Sequence, residues 1–189
     1  MSETDRERWN ARYAEEAAIA APSPFVVGLD ALLPRTGRAL DLAGGSGRHA
    51  LWLARRGLAV TLADVSDVAL ATAERSARAE GLGLVTRLVD LAVEPVPAGP
   101  WDVVVCTYFL HRPVFAQVRD ALAPGGLFAF AHATRTNLER HPRPGPRHVL
   151  EDGELSTLAG GLGLEVLRLD EGWLESGRHE ARVVLRRPS

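Results

Sequence analysis

Ala39-Leu40-Asp41-Leu42-Ala43-Gly44-Gly45-Ser46-Gly47-Arg48-His49 is the stretch that decides how this chain folds. A short apolar run carrying one acid, RALDLA (38–43), meets a glycine cluster, and HALWLARRG (49–57) follows with Ala50, Leu51, Leu53 and Ala54 at helical spacing. A strand that ends in a glycine turn and feeds a helix aims backbone N–H groups and a helix N-terminus at a ligand. Glycines suit such a turn because side chains would block the approach and because the turn can require positive φ.

Outward from this turn the pattern alternates. LAVTLAD (58–64) reads as the next strand, and Ser66 is a good N-cap for the helix VALATAERSARAEG (68–81), closed by glycine. LVTRLVD (84–90) and WDVVVCTYF (101–109) supply two more strands. Pro113 begins a helix over VFAQVRDALA (114–123), which Pro124-Gly125-Gly126 ends, and LFAFAHA (127–133) follows as a strand. GELSTLAGG (153–161) reads as a helix. LEVLRLDEGW (164–173) and HEARVVLRR (179–187) are two strands with no helix between them, hence an antiparallel pair. The expected architecture is α/β: a doubly wound, Rossmann-like, seven-stranded and mostly parallel sheet with an antiparallel C-terminal hairpin. Residues 1–36 read as a helical lead-in or lid, with Trp9 and Tyr13 on one helix face, and 37–189 as the one main domain.

Composition narrows the class. The 189 residues are 46% hydrophobic and 24% charged, the balance of a packed globule. A net charge of −2 argues against a nucleic-acid-binding surface, and no apolar run reaches the ~18–20 residues of a membrane span. MSETDRERWN has no apolar signal core, and the single Cys106 excludes an internal disulfide framework, so a cytoplasmic protein is expected. All 22 basic residues are Arg, which removes chemistry that needs a lysine, such as a Schiff base or a Walker-type phosphate loop.

Two ligands compete for the glycine turn. Gly45-Ser46-Gly47-Arg48-His49-Ala50 fits the dinucleotide pattern G-x-G-x-x-G/A, and Asp64 lies nineteen residues on, where a ribose-binding acid would stand. Asp41, however, is an acid inside the first strand just ahead of the glycines. A pyrophosphate gains nothing from a nearby carboxylate, whereas a ligand with an ammonium group and a ribose does.

Asp41 to Gly47 resembles the first motif of class I S-adenosylmethionine-dependent methyltransferases, with Ala43 where the family has a glycine, a modest steric change. Asp64 resembles the second motif, Asp90 the third, and WDVVVC (101–106) with Pro124-Gly125-Gly126 the fourth and following ones. The resemblance implies S-adenosyl-L-methionine as cofactor, held by Asp41, Ala43, Gly44, Gly45, Ser46, Gly47, Asp64, Val65, Asp90, Leu91 and Cys106. Asp64 would accept from the ribose hydroxyls; its alternative role is to cap the following turn. Trp9-Asn-Ala-Arg-Tyr13, Thr107-Tyr-Phe-Leu-His-Arg-Pro113 and Val149-Leu-Glu-Asp-Gly-Glu-Leu155 resemble the small bacterial tellurite-resistance-type methyltransferases.

Cys106-Thr-Tyr-Phe109 is not the Asn- or Asp-Pro-Pro-Tyr/Phe of enzymes that methylate exocyclic base amines, and Asp102 is at the wrong end of its strand for a metal cluster. The expected reaction is therefore metal-free in-line transfer to a small-molecule nucleophile, soft or anionic, by a monomer or weak homodimer. His111 and His132 are the candidate catalytic bases, and Tyr13, Tyr108 and Arg147 the candidate acceptor contacts. The segment 132–148 carries Arg135, Arg140, Arg143 and Arg147 against Glu139, and could form a cationic flap. A nicotinamide-dependent oxidoreductase and a non-catalytic S-adenosylmethionine-binding protein remain as alternatives.

Overall fold

A computed structural model describes residues 3–189; the first two residues of the lead-in lie outside the described residues. Seven strands form one sheet: β1 (Arg38–Leu42), β2 (Ala59–Asp64), β3 (Leu84–Leu88), β4 (Trp101–Thr107), β5 (Leu122–Ala133), β6 (Glu165–Trp173) and β7 (His179–Arg186). Their order is β3-β2-β1-β4-β5-β7-β6, parallel throughout except for β7, which runs antiparallel to both of its neighbours. Chain order reverses between β1 and β4, so the carboxyl ends of those two strands open the crevice in which such sheets bind ligands.

Among the described residues, six α-helices cover the sheet: α1 (Glu3–Ala14), α2 (Pro24–Val27), α3 (Arg48–Arg55), α4 (Asp67–Ala79), α5 (Val114–Ala121) and α6 (Glu154–Gly160). Because side chains alternate across a strand, each strand serves two cores. Leu40, Leu42, Val104, Cys106, Phe128 and Phe130 face α5 and α6 through Val114, Phe115, Val118 and Leu155. Ala39, Leu62, Val103, Val105 and Ala129 face the other way, toward Phe25, Val26, Ala50, Leu53 and Leu70. Phe115, Phe128 and Phe130 meet with ring centroids 4.8 to 6.1 Å apart. Truncating one of these rings to Ala would cost about 3–5 kcal/mol.

Several boundaries differ from the sequence reading. α5 stops at Ala121, and Leu122 already pairs with Trp101. Pro124-Gly125-Gly126 is a bulge carried inside β5, with the ladder resuming at Val103 and Leu127. Gly125 sits at φ 74°, and a Cβ on Gly126 would stand 2.7 Å from the Trp101 carbonyl oxygen, so both positions need glycine. β4 ends at Thr107, two residues early, because Tyr108 turns to φ 59°. The lead-in breaks ahead of its second apolar stretch, Phe25 to Leu33, as Pro22 and Pro24 require. After α1 an irregular segment leads to the single turn α2, capped by Ser23, and Phe25, Val26, Leu29 and Leu33 enter the second core. The Ser23 amide donates to Nε2 of buried His49 (3.2 Å), a ring held neutral because burial, then Arg48, lowers its pKa to about 3.

Candidate active site

The glycine turn leaves β1 with Ala43 at φ 51°, Gly45 at 56° and Gly47 at 84°. Its tightness comes from protein atoms. A Cβ on Gly44 would lie 2.5 Å from both Asp41 Cγ and Leu62 Cδ1, and one on Gly47 2.9 Å from Ala73 Cβ. A Cβ on Gly45 would lie 2.2 Å from Tyr13 Oη. The sequence reading assigned these glycines to ligand approach and to positive φ; helix packing and Tyr13 add their own demand.

Asp41 is wholly buried in the middle of this arrangement. Its Oδ2 accepts from the Ala50 amide (3.0 Å) in the first turn of α3, while Oδ1 is buried without a hydrogen-bond partner. Burial pushes its pKa up to about 7, against the Ala50 hydrogen bond and the positive charge of Arg48. An orphaned carboxylate oxygen beside a glycine turn fits a cationic group. Asp64, at the end of β2, accepts from the Gly45 amide at Oδ2 (2.8 Å) and from the Ser66 amide at Oδ1 (2.9 Å). Burial raises its pKa, opposed by those backbone hydrogen bonds. The turn-capping role thus exists in the structure, and the carboxylate keeps acceptor capacity beyond these amides for a ligand hydroxyl.

The other sequence-predicted cofactor residues fall around this pair. Ser46 donates to Glu16 Oε2 (3.2 Å). Asp90 stands just past β3, where its Oδ1 accepts from the Ala92 amide (3.0 Å). Val65, Leu91 and Cys106 are buried; Leu91 and Cys106 belong to the first core, and burial pushes the Cys106 thiol up. α1 lies across the ends of β1 and β2. Asn10 donates to Asp67 Oδ1 (2.8 Å) and accepts from Ser66 Oγ (2.6 Å), and Trp9 stacks on Tyr13. Sequence reasoning missed Asn10 and Glu16, since nothing in a polar helix face says which neighbour it meets.

The ends of β4, β5 and β7 form the opposite wall. Tyr108 donates to Glu180 Oε1 (2.5 Å), the Arg48 guanidinium lies 5.6 Å from its ring centroid, and the His132 ring is 6.4 Å away. His132 is buried on Phe130, with Nδ1 3.1 Å from the Ala133 carbonyl, and burial lowers its pKa. His111 is half-buried beside Phe109. The basic segment is pinned from outside: Arg135 pairs with Glu151, Thr136 donates to Asp152, and Arg140 stacks 3.8 Å over Trp173. VLEDGEL therefore anchors residues 135 and 136. Arg147 is exposed in a short 3-10 turn (Pro146–His148), with no hydrogen bond or ion pair to the described residues. Asp102 accepts from the Arg38 amide (2.7 Å), at the far end of the sheet.

Comparison with known proteins finds similarity in sequence and in fold. Residues 39–126 match the methyltransferase domain family. An uncharacterised protein of Mycobacterium tuberculosis is 33% identical over 125 residues, 64% of this chain and 45% of that protein, so the match spans under half of its length. TehB of Haemophilus influenzae superposes with TM-score 0.76 at 22% identity, covering 95% of this chain and 67% of the other. A structure solved for the conversion of a disulfide bond into a thioacetal group during echinomycin biosynthesis gives 0.74 at 24% identity, covering 97% and 92%. A little under half of the chain, the segment from β1 into β5 that contains the glycine turn, thus matches a methyltransferase domain. In fold it resembles TehB.

Proposed function

We propose that the protein is an enzyme that transfers the methyl group of S-adenosylmethionine to a small-molecule nucleophile by in-line displacement. The observation that carries this reading is the buried, unpartnered Asp41 Oδ1 beside a glycine turn whose Gly45 amide is fixed by Asp64. Asp41 would hold the ammonium of the donor, Asp64 its ribose hydroxyls, and the segment from Asp90 to Leu91 its adenine. The donor supplies an activated methyl on a sulfonium that is its own leaving group. The protein's part is alignment, which can contribute several kcal/mol to the barrier. Tyr13 lies against Gly45 and Tyr108 beside the Arg48 guanidinium, and both would contact the acceptor. The exposed Arg147 and Arg143 are the members of the basic segment left to attract an acceptor that carries an anionic group apart from its nucleophilic atom.

Calorimetry with S-adenosylhomocysteine and with NAD tests the reading. The first should bind and the second should not. Asp64→Ala should weaken S-adenosylhomocysteine by at least about tenfold, since a hydrogen bond to a charged group contributes about 1.5–3 kcal/mol. It should also lower the melting temperature, because the Gly45 and Ser66 amides lose their acceptor. NAD binding in place of S-adenosylhomocysteine would overturn the assignment.

A further inference from the structure

Glu180 is a buried acid that the donor site does not use. It is the second residue of β7, 3% exposed, and pairs in register with Ala133 and Gly172, which places it at the ligand-binding edge. Burying a carboxylate is costly unless it is paired, and its partner here is the Tyr108 hydroxyl at 2.5 Å. Tyr108 reaches it from φ 59°, a conformation that strains a bulky residue and persists only where the surroundings hold it. The ring is also held from the donor side. Arg48, the residue directly after the glycine turn, places its guanidinium 5.6 Å from the ring centroid. The phenol thus links the turn to an interior acid. Its one proton is given to Glu180, so toward the crevice Oη has only lone pairs to offer.

We infer that Tyr108 and Glu180 form a proton relay, and that the acceptor is a neutral O–H or N–H nucleophile. The inference rests on the methyltransferase reading and names the acceptor class within it. As the acceptor's oxygen or nitrogen bonds to the methyl carbon, the methyl–sulfur bond breaks and its electron pair stays on sulfur. The acceptor's proton passes to Tyr108 Oη while the Tyr108 proton passes to Glu180 Oε1. Glu180 ends the turnover as a carboxylic acid and returns its proton to water. Burial and Glu180 both raise the Tyr108 pKa, so the phenol conducts the proton and does not store the negative charge. Arg48 and Arg178 act in the opposite sense and ease its transient phenolate character. A thiolate or a reduced chalcogen anion needs no base and would leave this pair without a task. The inference also moves the base away from His132, whose Nδ1 faces the Ala133 carbonyl.

Labelled S-adenosylmethionine and a panel of phenols, primary amines, thiols and selenite test it, alongside S-adenosylhomocysteine calorimetry. Label should enter phenols or amines. On the best of these, Tyr108→Phe and Glu180→Gln should each lower kcat by about 10²–10⁴-fold, the range of general base catalysis. KM and S-adenosylhomocysteine affinity should stay within about threefold, and Glu180→Asp should recover part of the rate. Tyr108→Gly relieves the backbone strain and lacks the hydroxyl, so it should fold and be as slow as Tyr108→Phe. Label confined to thiols or selenite, no label in any phenol or amine, or undiminished kcat in Glu180→Gln would overturn the relay. Failure of wild-type protein to bind S-adenosylhomocysteine would instead overturn the methyltransferase reading beneath it.

Discussion

The two edges of the crevice solve different problems with the same kind of group. At the end of β1 and β2, Asp41 and Asp64 are buried carboxylates fixed by backbone amides from Ala50, Gly45 and Ser66. At the end of β4 and β7, Glu180 is a buried carboxylate fixed by a side chain, Tyr108, from 72 positions away in the chain. Amide donors cannot move or give up a proton, so the donor edge is a rigid receptor. A phenol can do both. On the proposed reading the first edge is therefore built to bind the donor, and the second to pass a proton. Substitutions on the first should act on S-adenosylhomocysteine affinity, and those on the second should spare it.

The largest effect is expected at Gly45. Valine there meets two obstacles: φ 56°, which a β-branched residue strongly disfavours, and Tyr13 Oη at 2.2 Å from the new Cβ. Gly45→Val should lower S-adenosylhomocysteine affinity more than about hundredfold by calorimetry. Pairing it with Tyr13→Ala relieves the clash but not the φ, so binding should return only in part. Full recovery would mean that Tyr13 alone, and not the turn, makes the glycine necessary; undiminished binding in the single variant would break the contrast between the edges.

A smaller and pH-dependent effect is expected at Asp41. Its pKa rises from 3.8 unfolded to about 7 in the fold. Below pH 4 the group is protonated in both states and costs nothing. As pH climbs toward 7 the unfolded carboxyl ionises freely while the folded one resists, so stability is lost across that window, on the order of 4 kcal/mol in all. Asp41→Asn does not titrate, so wild type should lose melting temperature relative to it between pH 4 and pH 7. The ligand's ammonium favours the ionised form. S-adenosylhomocysteine affinity of wild type should therefore fall roughly tenfold per pH unit below 7, and that of Asp41→Asn should stay flat. A flat wild-type profile would remove the ammonium from Asp41.

The donor edge was legible in the sequence because everything it needs is local. One strand, one glycine turn and the acid ending the next strand lie within Asp41 to Asp64, and strand-helix alternation fixes the parallel sheet around them. Ser66 as a helix cap and the β6–β7 hairpin follow from equally short signals. The acceptor edge was only half legible. Tyr108 and His132 stand at strand ends, where periodicity points, but the partner that defines Tyr108 comes from β7. Glu180 reads along the chain as one polar residue in HEARVVLRR, and only the insertion of β7 between β5 and β6 brings it to the crevice. The bulge at Pro124-Gly125-Gly126 was misread as a helix stop for the same reason, since Leu122 is a strand residue only through its pairing with Trp101.

The smallest effect isolates backbone strain at the donor edge. Ala43 sits at φ 51°, so the two non-glycine residues with positive φ among the described residues, Ala43 and Tyr108, stand one on each edge. Alanine in this region costs about 1–2 kcal/mol. Glycine removes that cost but gains about 0.4–1 kcal/mol of freedom when unfolded. Ala43→Gly should thus stabilise the protein by under about 1 kcal/mol, which raises the melting temperature of a chain of this size by about 1–3 °C. Its methyl packs against the first core only in part, so little burial is lost. S-adenosylhomocysteine affinity should stay within about twofold, because the turn already holds the conformation that binds. Tyr108→Gly relieves the same kind of strain but removes the hydroxyl on which the proposed relay depends, so it should keep S-adenosylhomocysteine affinity and lose turnover. A lower melting temperature in Ala43→Gly would show that its methyl contributes more through packing than the backbone loses to strain, and the parallel between the two edges would then fail at this position.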